Sequence, residues 1–175
     1  MRRTGAMRNR MGLRNVATAL LICALGAVAP LLAPGVRSVW EVAVALGGLL
    51  LPLSWAVGSA VVIPALSTLF YGTPYLTTDL PLLVCQMIAL AALANFFYDM
   101  VGWNVYGALL SAMGLSLVVL FCAASIFGAV SGGLVRALPY VRATLTAGWP
   151  RILLEIVLVP PAVLIVRRVQ ETLRT

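Results

Sequence analysis

The stretch LSLVVLFCAA at residues 115–124 decides the fold class of this chain, because it presents apolar or small side chains in every direction around a helix. A second stretch, VATALLICALGAV at residues 16–28, has the same character. The strands of a transmembrane barrel alternate apolar and polar residues with a period of two, and neither stretch does so. A helix that is apolar on all sides belongs in a protein core or in a membrane. We therefore expect an all-α membrane protein.

The overall composition indicates the same class. Of 175 residues, 62% are hydrophobic and 10% are charged, which leaves too little polar surface to cover a soluble core. A bilayer removes that requirement because it acts as the solvent. Since one crossing takes about 20 helical residues, about five to seven crossings fit the length. We favour a compact bundle of six transmembrane helices that forms a single domain over residues 15–168.

The positions of the basic residues predict the orientation. All twelve are arginines; five precede the first apolar stretch and three follow the last one. By the positive-inside rule both ends are then cytoplasmic, with residues 1–14 as a basic segment and 169–175 as a tail. The net charge of +7 reflects this topology, since nucleic-acid binding would need a basic face on a soluble module. A cleaved signal peptide is the alternative interpretation of the basic start, although no small-x-small cleavage site precedes a hydrophilic region.

Prolines and glycines divide the apolar part of the chain into six predicted spans, at residues 15–33, 38–51, 53–71, 79–97, 105–127 and 149–166. Pro52 joins the second and third spans with almost no polar loop, so we expect an abrupt helical hairpin there. Asp79 followed by Pro81 is typical of the start of a helix. The longest polar stretch outside the two ends, residues 136–148, precedes the last span.

Several classes of function are excluded by residue types that the chain lacks. It contains no histidine and no lysine. Ser-His-Asp catalysis and histidine-ligated zinc therefore have no ligands or base here, and no phosphate loop of the G-x-x-x-x-G-K-[ST] kind can form. The three cysteines lie singly inside predicted spans, and we interpret them as buried apolar residues. We expect no metal, no cofactor and no enzymatic activity in this chain.

Polar side chains within the spans are the candidates for a binding site, because each is costly in hydrocarbon unless it faces a protein interior or a cavity. The largest group lies around the start of the sixth span, on the predicted outer side where topology calls for no positive charge. Arginines and aromatic rings together suit a small ligand with a planar ring and an anionic group. Two alternatives remain. Arg151 and Glu155, four residues apart on one helix face, could pair with one another. The aromatic rings and arginines could instead form a belt at the membrane surface, where the arginines contact lipid phosphate. The members are Arg136, Tyr140, Arg142, Trp149, Arg151 and Glu155.

Further candidates border or lie within the other spans. Each could point into a ligand cavity or form a hydrogen bond with a neighbouring helix; for Asn95, near the predicted cytoplasmic end, helix packing is the expected use. Small residues at every fourth position on the first and fifth spans mark packing faces, and internal packing is their more common use. The candidate site residues are Trp40, Glu41, Tyr75, Asp79 and Gln86, and the two stripes are Ala19, Cys23 and Ala27, and Ala108, Ala112 and Ser116.

Three blocks of the chain resemble the successive helices of one known family. They are GGLLLPLSWAVGSAVVIPALSTLFYGTP at residues 47–74, LPLLVCQMIALAALANFFYDMVGWNVYGALLSAM at residues 80–113, and AGWPRILLEIVLVPPAVLIV at residues 147–166. In the order and spacing of their glycine- and proline-marked apolar segments, these blocks resemble the substrate-binding S components of energy-coupling factor transporters.

The resemblance implies a multi-pass protein of the bacterial plasma membrane that captures a vitamin or similar micronutrient at its outer face. The implied partners are a transmembrane T component and two cytoplasmic ATPase subunits, which would supply the phosphate loops that this chain lacks. In such proteins the first helix carries a small-residue stripe that faces the T component, and Ala19, Cys23 and Ala27 match it. Members often have basic residues at the turn after the fourth helix, where this chain has Asp99. Cobalt- and nickel-specific members use a histidine-bearing N-terminus, so a metal substrate is not expected.

Two other classes of membrane protein stay open on the sequence. A non-transporting scaffold of the rod-shape-determining type would need packing faces but no polar pocket. A small proton- or sodium-driven carrier usually has an acidic residue at mid-membrane. None of the five acidic residues is clearly placed there by the sequence.

Overall fold

The computed structural model of the protein describes residues 15–28, 38–71, 79–130, 142 and 148–172. These ranges are helical apart from short turns and contain no strand, so the predicted all-α class is confirmed for them. The basic segment 1–14, the end of the first predicted span and most of the polar stretch before the last one lie outside the described residues. The helices are α1 (Asn15–Val28), α2 (Ser38–Leu50), α3 (Leu53–Tyr71), α4 (Asp79–Asn95), α5 (Val105–Val130) and α6 (Gly148–Thr172), and a π-helical turn, Phe96–Met100, continues α4.

Two helical segments, Leu80–Met100 and Val105–Ile126, are long and apolar enough to cross a membrane. Large apolar side chains are also exposed on several helices, with Leu20 on α1 at 65% and Ile165 on α6 at 62%. Extensive exposed apolar surface marks contact with a membrane or with another protein. Both features are compatible with a transmembrane bundle.

The predicted hairpin between α2 and α3 is confirmed. Only Leu51 and Pro52 separate the two helices, and the carbonyl oxygen of Pro52 accepts hydrogen bonds from the N–H groups of Trp55 at 2.9 Å and Ala56 at 3.0 Å. Because proline has no N–H of its own, it can end one helix and begin the next without leaving a donor unpaired. The sequence pattern therefore predicts this junction to within one residue.

The predicted ends of α5 and α6 are wrong. α5 continues through Gly128 to Val130, and α6 continues past Val166 to Thr172. A single glycine costs a helix about 1 kcal/mol relative to alanine without ending it, and arginine is a good helix former. The residues of α6 thus become polar at Arg167, but the helix does not end there.

Helices α2, α4 and α6 end together and therefore run parallel. Asn95 at the end of α4 donates to the carbonyl oxygens of Gly48 and Leu51 at the end of α2, and Arg167 of α6 donates to the carbonyl oxygen of Leu49. We call this the Asn95 end of the bundle. Contacts join α2 to α4, α4 to α5, α5 to α6 and α6 to α2, so these four helices enclose a common interior.

Helices α1 and α3 lie on another side of α2. Gly47 of α2 lies against Ser59 of α3 and Ile22 of α1, and Gly26 of α1 lies against Ile63 of α3. A side chain at Gly26 would meet Ile63 at 2.7 Å, so glycine is needed for this close approach. α2 is consequently surrounded by four neighbours and is the central helix of the bundle.

Polar contacts tie the Asn95 end together. The Asn95 amide lies 3.2 Å from a carboxylate oxygen of Asp99, and Arg167 lies 3.5 Å from the other oxygen of that carboxylate. The guanidinium carbon of Arg167 also lies 4.2 Å from the centre of the Tyr98 ring. The expected packing role of Asn95 is confirmed. Arg167 of α6 thus places a positive charge beside the Asp99 carboxylate.

The turn after the π-helical segment is closed by glycine and by a helix cap. Gly102 has a φ of +79°, a conformation that glycine adopts without strain. The ring of Trp103 stacks on Phe97 with centroids 4.8 Å apart. The side-chain oxygen of Asn104 accepts a hydrogen bond of 2.6 Å from the N–H of Gly107 and so caps the start of α5.

The small-residue stripes pack inside this chain. Those on α5, Ala108, Ala112 and Ser116, are all buried, which confirms internal packing. On α1, Ala19 is buried and Cys23 packs against the same core, whereas Leu20 and Leu21 are exposed. Ala19 is therefore not on the surface that a partner helix would meet, and Cys23 and Ala27 are only partly exposed. Cys122 on α5 is exposed, so its predicted burial is wrong.

Candidate functional site

Three polar side chains from three different helices are buried in the interior that α2, α4, α5 and α6 enclose. Glu41 is 3% exposed, Gln86 is 1% exposed and Glu155 is 0% exposed. We call them the polar layer. Their neighbours along each helix show why they point inward.

Glu41 faces α4. It precedes Gly48 by seven residues, which is two helical turns, so both residues lie on the same side of α2. A side chain at Gly48 would meet the carbonyl oxygen of Ala91 at 2.7 Å and the Cβ atom of Ala94 at 3.0 Å, both on α4. The Glu41 side chain therefore lies on the α2 face that looks toward α4.

Gln86 faces α5, and Glu155 faces the main core. Gln86 follows Leu82 by four residues on one face of α4, and Leu82 belongs to a cluster with Leu120 and Ala124 of α5. Glu155 precedes Val159 by four residues, and Val159 is fully buried in the core that includes α2. Sequence spacing within each helix thus directs both side chains into the shared interior.

Glu41 and Gln86 lie at about the same level along the bundle, and Glu155 lies further from the Asn95 end. From the contact of Gly48 with Ala91, Glu41 is about 10 Å and Gln86 about 8 Å further from the Asn95 end, at a rise of about 1.5 Å per residue. Glu155 precedes Arg167 by twelve residues, or about 18 Å. Arg167 bonds the carbonyl oxygen of Leu49, and Glu41 precedes Leu49 by eight residues, or about 12 Å. By this count Glu155 lies about 6 Å further from the Asn95 end than Glu41.

The layer lies near the end of the bundle opposite to the Asn95 end. Gln86 and Glu155 each come seven residues after the start of their helix, which is a depth of about 10 Å. α2 begins only three residues before Glu41.

Two buried hydrogen-bond donors in this region have no acceptor among the described residues. They are the Nε2 group of Gln86 and the indole Nε1 group of Trp40, whose side chain is 8% exposed. Trp40 precedes Gly47 by seven residues, so it borders the layer on the side of α1 and α3. A buried donor without an acceptor costs about 1–3 kcal/mol. A bound molecule that offers an acceptor would remove that cost.

The carboxylates of Glu41 and Glu155 both make polar interactions within the chain. Both side chains are buried in the bundle, Glu41 near the start of α2 and Glu155 about a third of the way along α6. A buried carboxylate is expensive to keep, which makes both residues candidates for a functional role.

The predicted site is only partly described. Of the predicted residues, Trp40, Glu41, Gln86 and Glu155 are buried in the bundle, and Arg142 is exposed and makes a polar interaction within the chain. Within the described ranges, no three His, Cys, Asp or Glu side chains come together in a way that could hold a metal ion. The other predicted residues lie outside the described residues altogether (Tyr75, Arg136, Tyr140) or have side chains outside them (Asp79, Trp149, Arg151).

Sequence analysis missed the grouping of the polar layer. It placed Glu155 with the arginines before it and treated Glu41 and Gln86 as separate cases. A usable signal was the equal distance of Gln86 and Glu155 from the starts of their parallel helices.

A scan against protein-family models and searches of curated proteins and of solved structures find no match to this chain.

Proposed function

We propose that this protein is a membrane-embedded capture subunit that binds a vitamin or a related small micronutrient for uptake. The observation that carries the proposal is the polar layer, which combines two buried carboxylates with a buried amide donor that has no acceptor in the described part of the chain. A purely structural bundle gains nothing from a buried donor without an acceptor, because such a group lowers its stability. Binding of a ligand would explain why these polar side chains are buried.

The proposed topology has six crossings, with both ends in the cytoplasm of a bacterial cell. The Asn95 end is then cytoplasmic, because Arg167 and Arg168 lie there and the arginine-rich N-terminal segment precedes α1. The polar layer then lies nearer to the outer face than to the cytoplasmic face, which supports capture of an external ligand. A reporter fused after Thr175 tests this: green fluorescent protein should fluoresce and alkaline phosphatase should be inactive. The reverse pattern would refute the orientation.

Energy for release into the cell comes, in this proposal, from a transmembrane T component and two ATPase subunits. Two arguments support these partners: the chain has no phosphate loop, and three of its blocks resemble S components. A tagged chain purified from its native cells should bring down proteins that carry the phosphate loop. Purification of the chain with no such protein, under detergent conditions that preserve complexes, would argue against this part.

Depletion of small molecules from the growth medium tests uptake itself. Cells that express the protein with its native partners should remove one vitamin-like compound, as followed by mass spectrometry. Glu155→Ala should abolish the removal because it deletes a carboxylate of the polar layer. Ser125→Ala is the matched control, since the Ser125 hydroxyl donates only to the carbonyl oxygen of Phe121 within α5. If cells with Glu155→Ala removed the compound as well as cells with the native chain, the proposed site would be wrong.

A small ion-coupled carrier is the second candidate, and the burial of Glu41 and Glu155 favours it. Buried acids are typical of proton and sodium pathways. Liposomes that contain this chain alone separate the two candidates. A carrier accumulates its substrate when a pH or sodium gradient is applied. A capture subunit binds the substrate but does not accumulate it without its ATPases.

A further inference from the structure

We infer that the Asn95 end of the bundle lies in the lipid headgroup layer and is anchored there by an aromatic belt, which we define as Trp55, Trp103 and Tyr106. The partner of this surface is phospholipid. The inference goes beyond ligand capture and does not depend on the polar layer. It rests on the proposed transmembrane topology but not on its orientation, because both faces of a bilayer have a headgroup layer.

The belt residues lie on different elements but at the same end of the bundle. Trp55 is in the first turn of α3, directly after the α2–α3 hairpin. The ring of Trp103 stacks on Phe97 of the π-helical turn that continues α4. Tyr106 is the second residue of α5. The three rings therefore lie close to the level at which α2 and α4 end.

All three rings are exposed, with Trp55 at 41%, Trp103 at 44% and Tyr106 at 50%. Of the other Trp and Tyr side chains that the structure describes, Trp40 is buried and Tyr98 is only partly exposed. Trp and Tyr are enriched where a membrane meets water, because each ring is apolar but carries one N–H or O–H group that can reach water. The described rings that are exposed are thus of the type, and at the level, of such a boundary.

The lengths of two helical segments place the same boundary at the belt. Leu80–Met100 ends there and Val105–Ile126 begins there, with 21 and 22 residues. At a rise of about 1.5 Å per residue each segment is about 30 Å long, which matches the hydrocarbon core of a bilayer. When these segments fill the core, the turn at residues 101–104 lies in the headgroup layer.

The apolar side chains next to the belt are unfavourable in water. Met100 is 74% exposed, Phe96 is 46% exposed and Val101 is 44% exposed. Together with the belt they form a continuous stretch of chain with exposed apolar side chains, and such a surface indicates contact with a membrane or a protein. Contact with lipid removes all of these side chains from water.

The charge at this end favours lipid as the partner. Arg168 is exposed, and the Arg167 side chain is 40% exposed. Asp99, an exposed acidic residue at the same end, is paired with Arg167. Arginine donates strong hydrogen bonds to phosphate, and the anionic lipids of a membrane surface attract basic side chains. Exposed rings beside arginines are therefore complementary to phospholipid headgroups.

Fluorine NMR of the full chain, labelled with fluorotryptophan and placed in lipid nanodiscs, tests the inference. Trp55→Phe and Trp103→Phe assign the two signals and keep an apolar ring at each position. Three paramagnetic probes are compared: a nitroxide on the lipid headgroup, a nitroxide near the end of the acyl chain, and a water-soluble gadolinium chelate. We expect the headgroup nitroxide to broaden both signals several-fold more than the acyl-chain nitroxide does. The chelate should broaden them less than it broadens free fluorotryptophan.

Leu115→Trp is the matched control for depth. Leu115 is 42% exposed and lies ten residues after the start of α5, or about 15 Å from it, in the middle of the membrane-length segment. Because this substitution replaces one exposed apolar side chain by another, the variant should fold. Its additional signal should respond most strongly to the acyl-chain nitroxide.

Two results would overturn the inference and leave the topology intact, provided that the Leu115→Trp signal responds to the acyl-chain nitroxide. In the first, the chelate broadens the Trp55 and Trp103 signals as fully as free fluorotryptophan, so that the belt faces water and is open to a partner protein. In the second, both signals respond most to the acyl-chain nitroxide, so that the belt lies in the hydrocarbon core. If the chelate reached the Leu115→Trp signal itself, the proposed topology would be wrong and the inference with it.

Discussion

The side-chain amide nitrogen of Asn95, the last residue of α4, lies 3.0 Å from the carbonyl oxygen of Leu51, just beyond the end of α2. The same nitrogen lies 3.2 Å from the carbonyl oxygen of Gly48, and Arg167 of α6 donates to that of Leu49. The last carbonyls of a helix have no partner within it. Here two neighbouring helices supply the donors, and this holds α2 at a defined depth. The position of Glu41, at the other end of α2, depends on that depth.

Asn95→Ala should therefore destabilise the bundle. The variant leaves the buried carbonyls of Gly48 and Leu51 without this donor, at a cost of about 1–3 kcal/mol. Thermal unfolding in detergent, followed by circular dichroism, should show a lower midpoint. Asn95→Asp should be at least as harmful, because it removes both N–H groups and places a second carboxylate beside Asp99. An unchanged midpoint in both variants would show that α2 is held in another way.

Arg167→Ala should cost more stability than Asp99→Ala. The pair is 3.5 Å apart, with side chains 40% and 48% exposed, so its coupling in a double-mutant cycle should be only about 0.2–1 kcal/mol. Arg167 additionally loses its hydrogen bond to Leu49 and its position over the Tyr98 ring. The unfolding free energies of the two single variants and the double variant give the coupling energy of the pair and the remaining contribution of Arg167. A coupling energy as large as the whole effect of Arg167→Ala would contradict the assignment.

Gly48→Ala and Gly114→Ala should have opposite effects. A Cβ atom at Gly48 would lie 2.7 Å from the backbone oxygen of Ala91, so α2 and α4 must separate, at a cost of about 1–3 kcal/mol. At Gly114 no atom lies within 4 Å of the added carbon, and alanine favours the helix by up to about 1 kcal/mol. The unfolding midpoints of both variants decide this. A stable Gly48→Ala variant would mean that α2 and α4 are not in close contact.

Much of the fold follows from local patterns in the sequence. Pro52 between two apolar blocks predicts the α2–α3 hairpin because proline limits where each helix can continue, and both helices lie where the pattern puts them. The ends of α5 and α6 were not predictable in the same way. Hydropathy falls after Val166, yet the intrinsic helix propensity of the following residues does not, and α6 therefore continues to Thr172.

The candidate site was predictable by residue but not by arrangement. A polar side chain inside an apolar segment is visible in the sequence, and Trp40, Glu41, Gln86 and Glu155 were identified on that basis. Their relative positions depend on α2, α4 and α6 being parallel, which the contacts of Asn95 and Arg167 establish. Such contacts join residues far apart in the chain, so spacing within one segment does not reveal them.

The central claim is that the polar layer holds a small ligand, and native mass spectrometry of the purified protein tests it most directly. The full chain, purified in mild detergent from its own cells, should carry one small molecule at a ratio of 1:1. Gln86→Leu and Glu155→Ala should lose it, and Ser125→Ala should retain it. A protein with no bound molecule, or folded layer variants that retain it in full, would contradict the account.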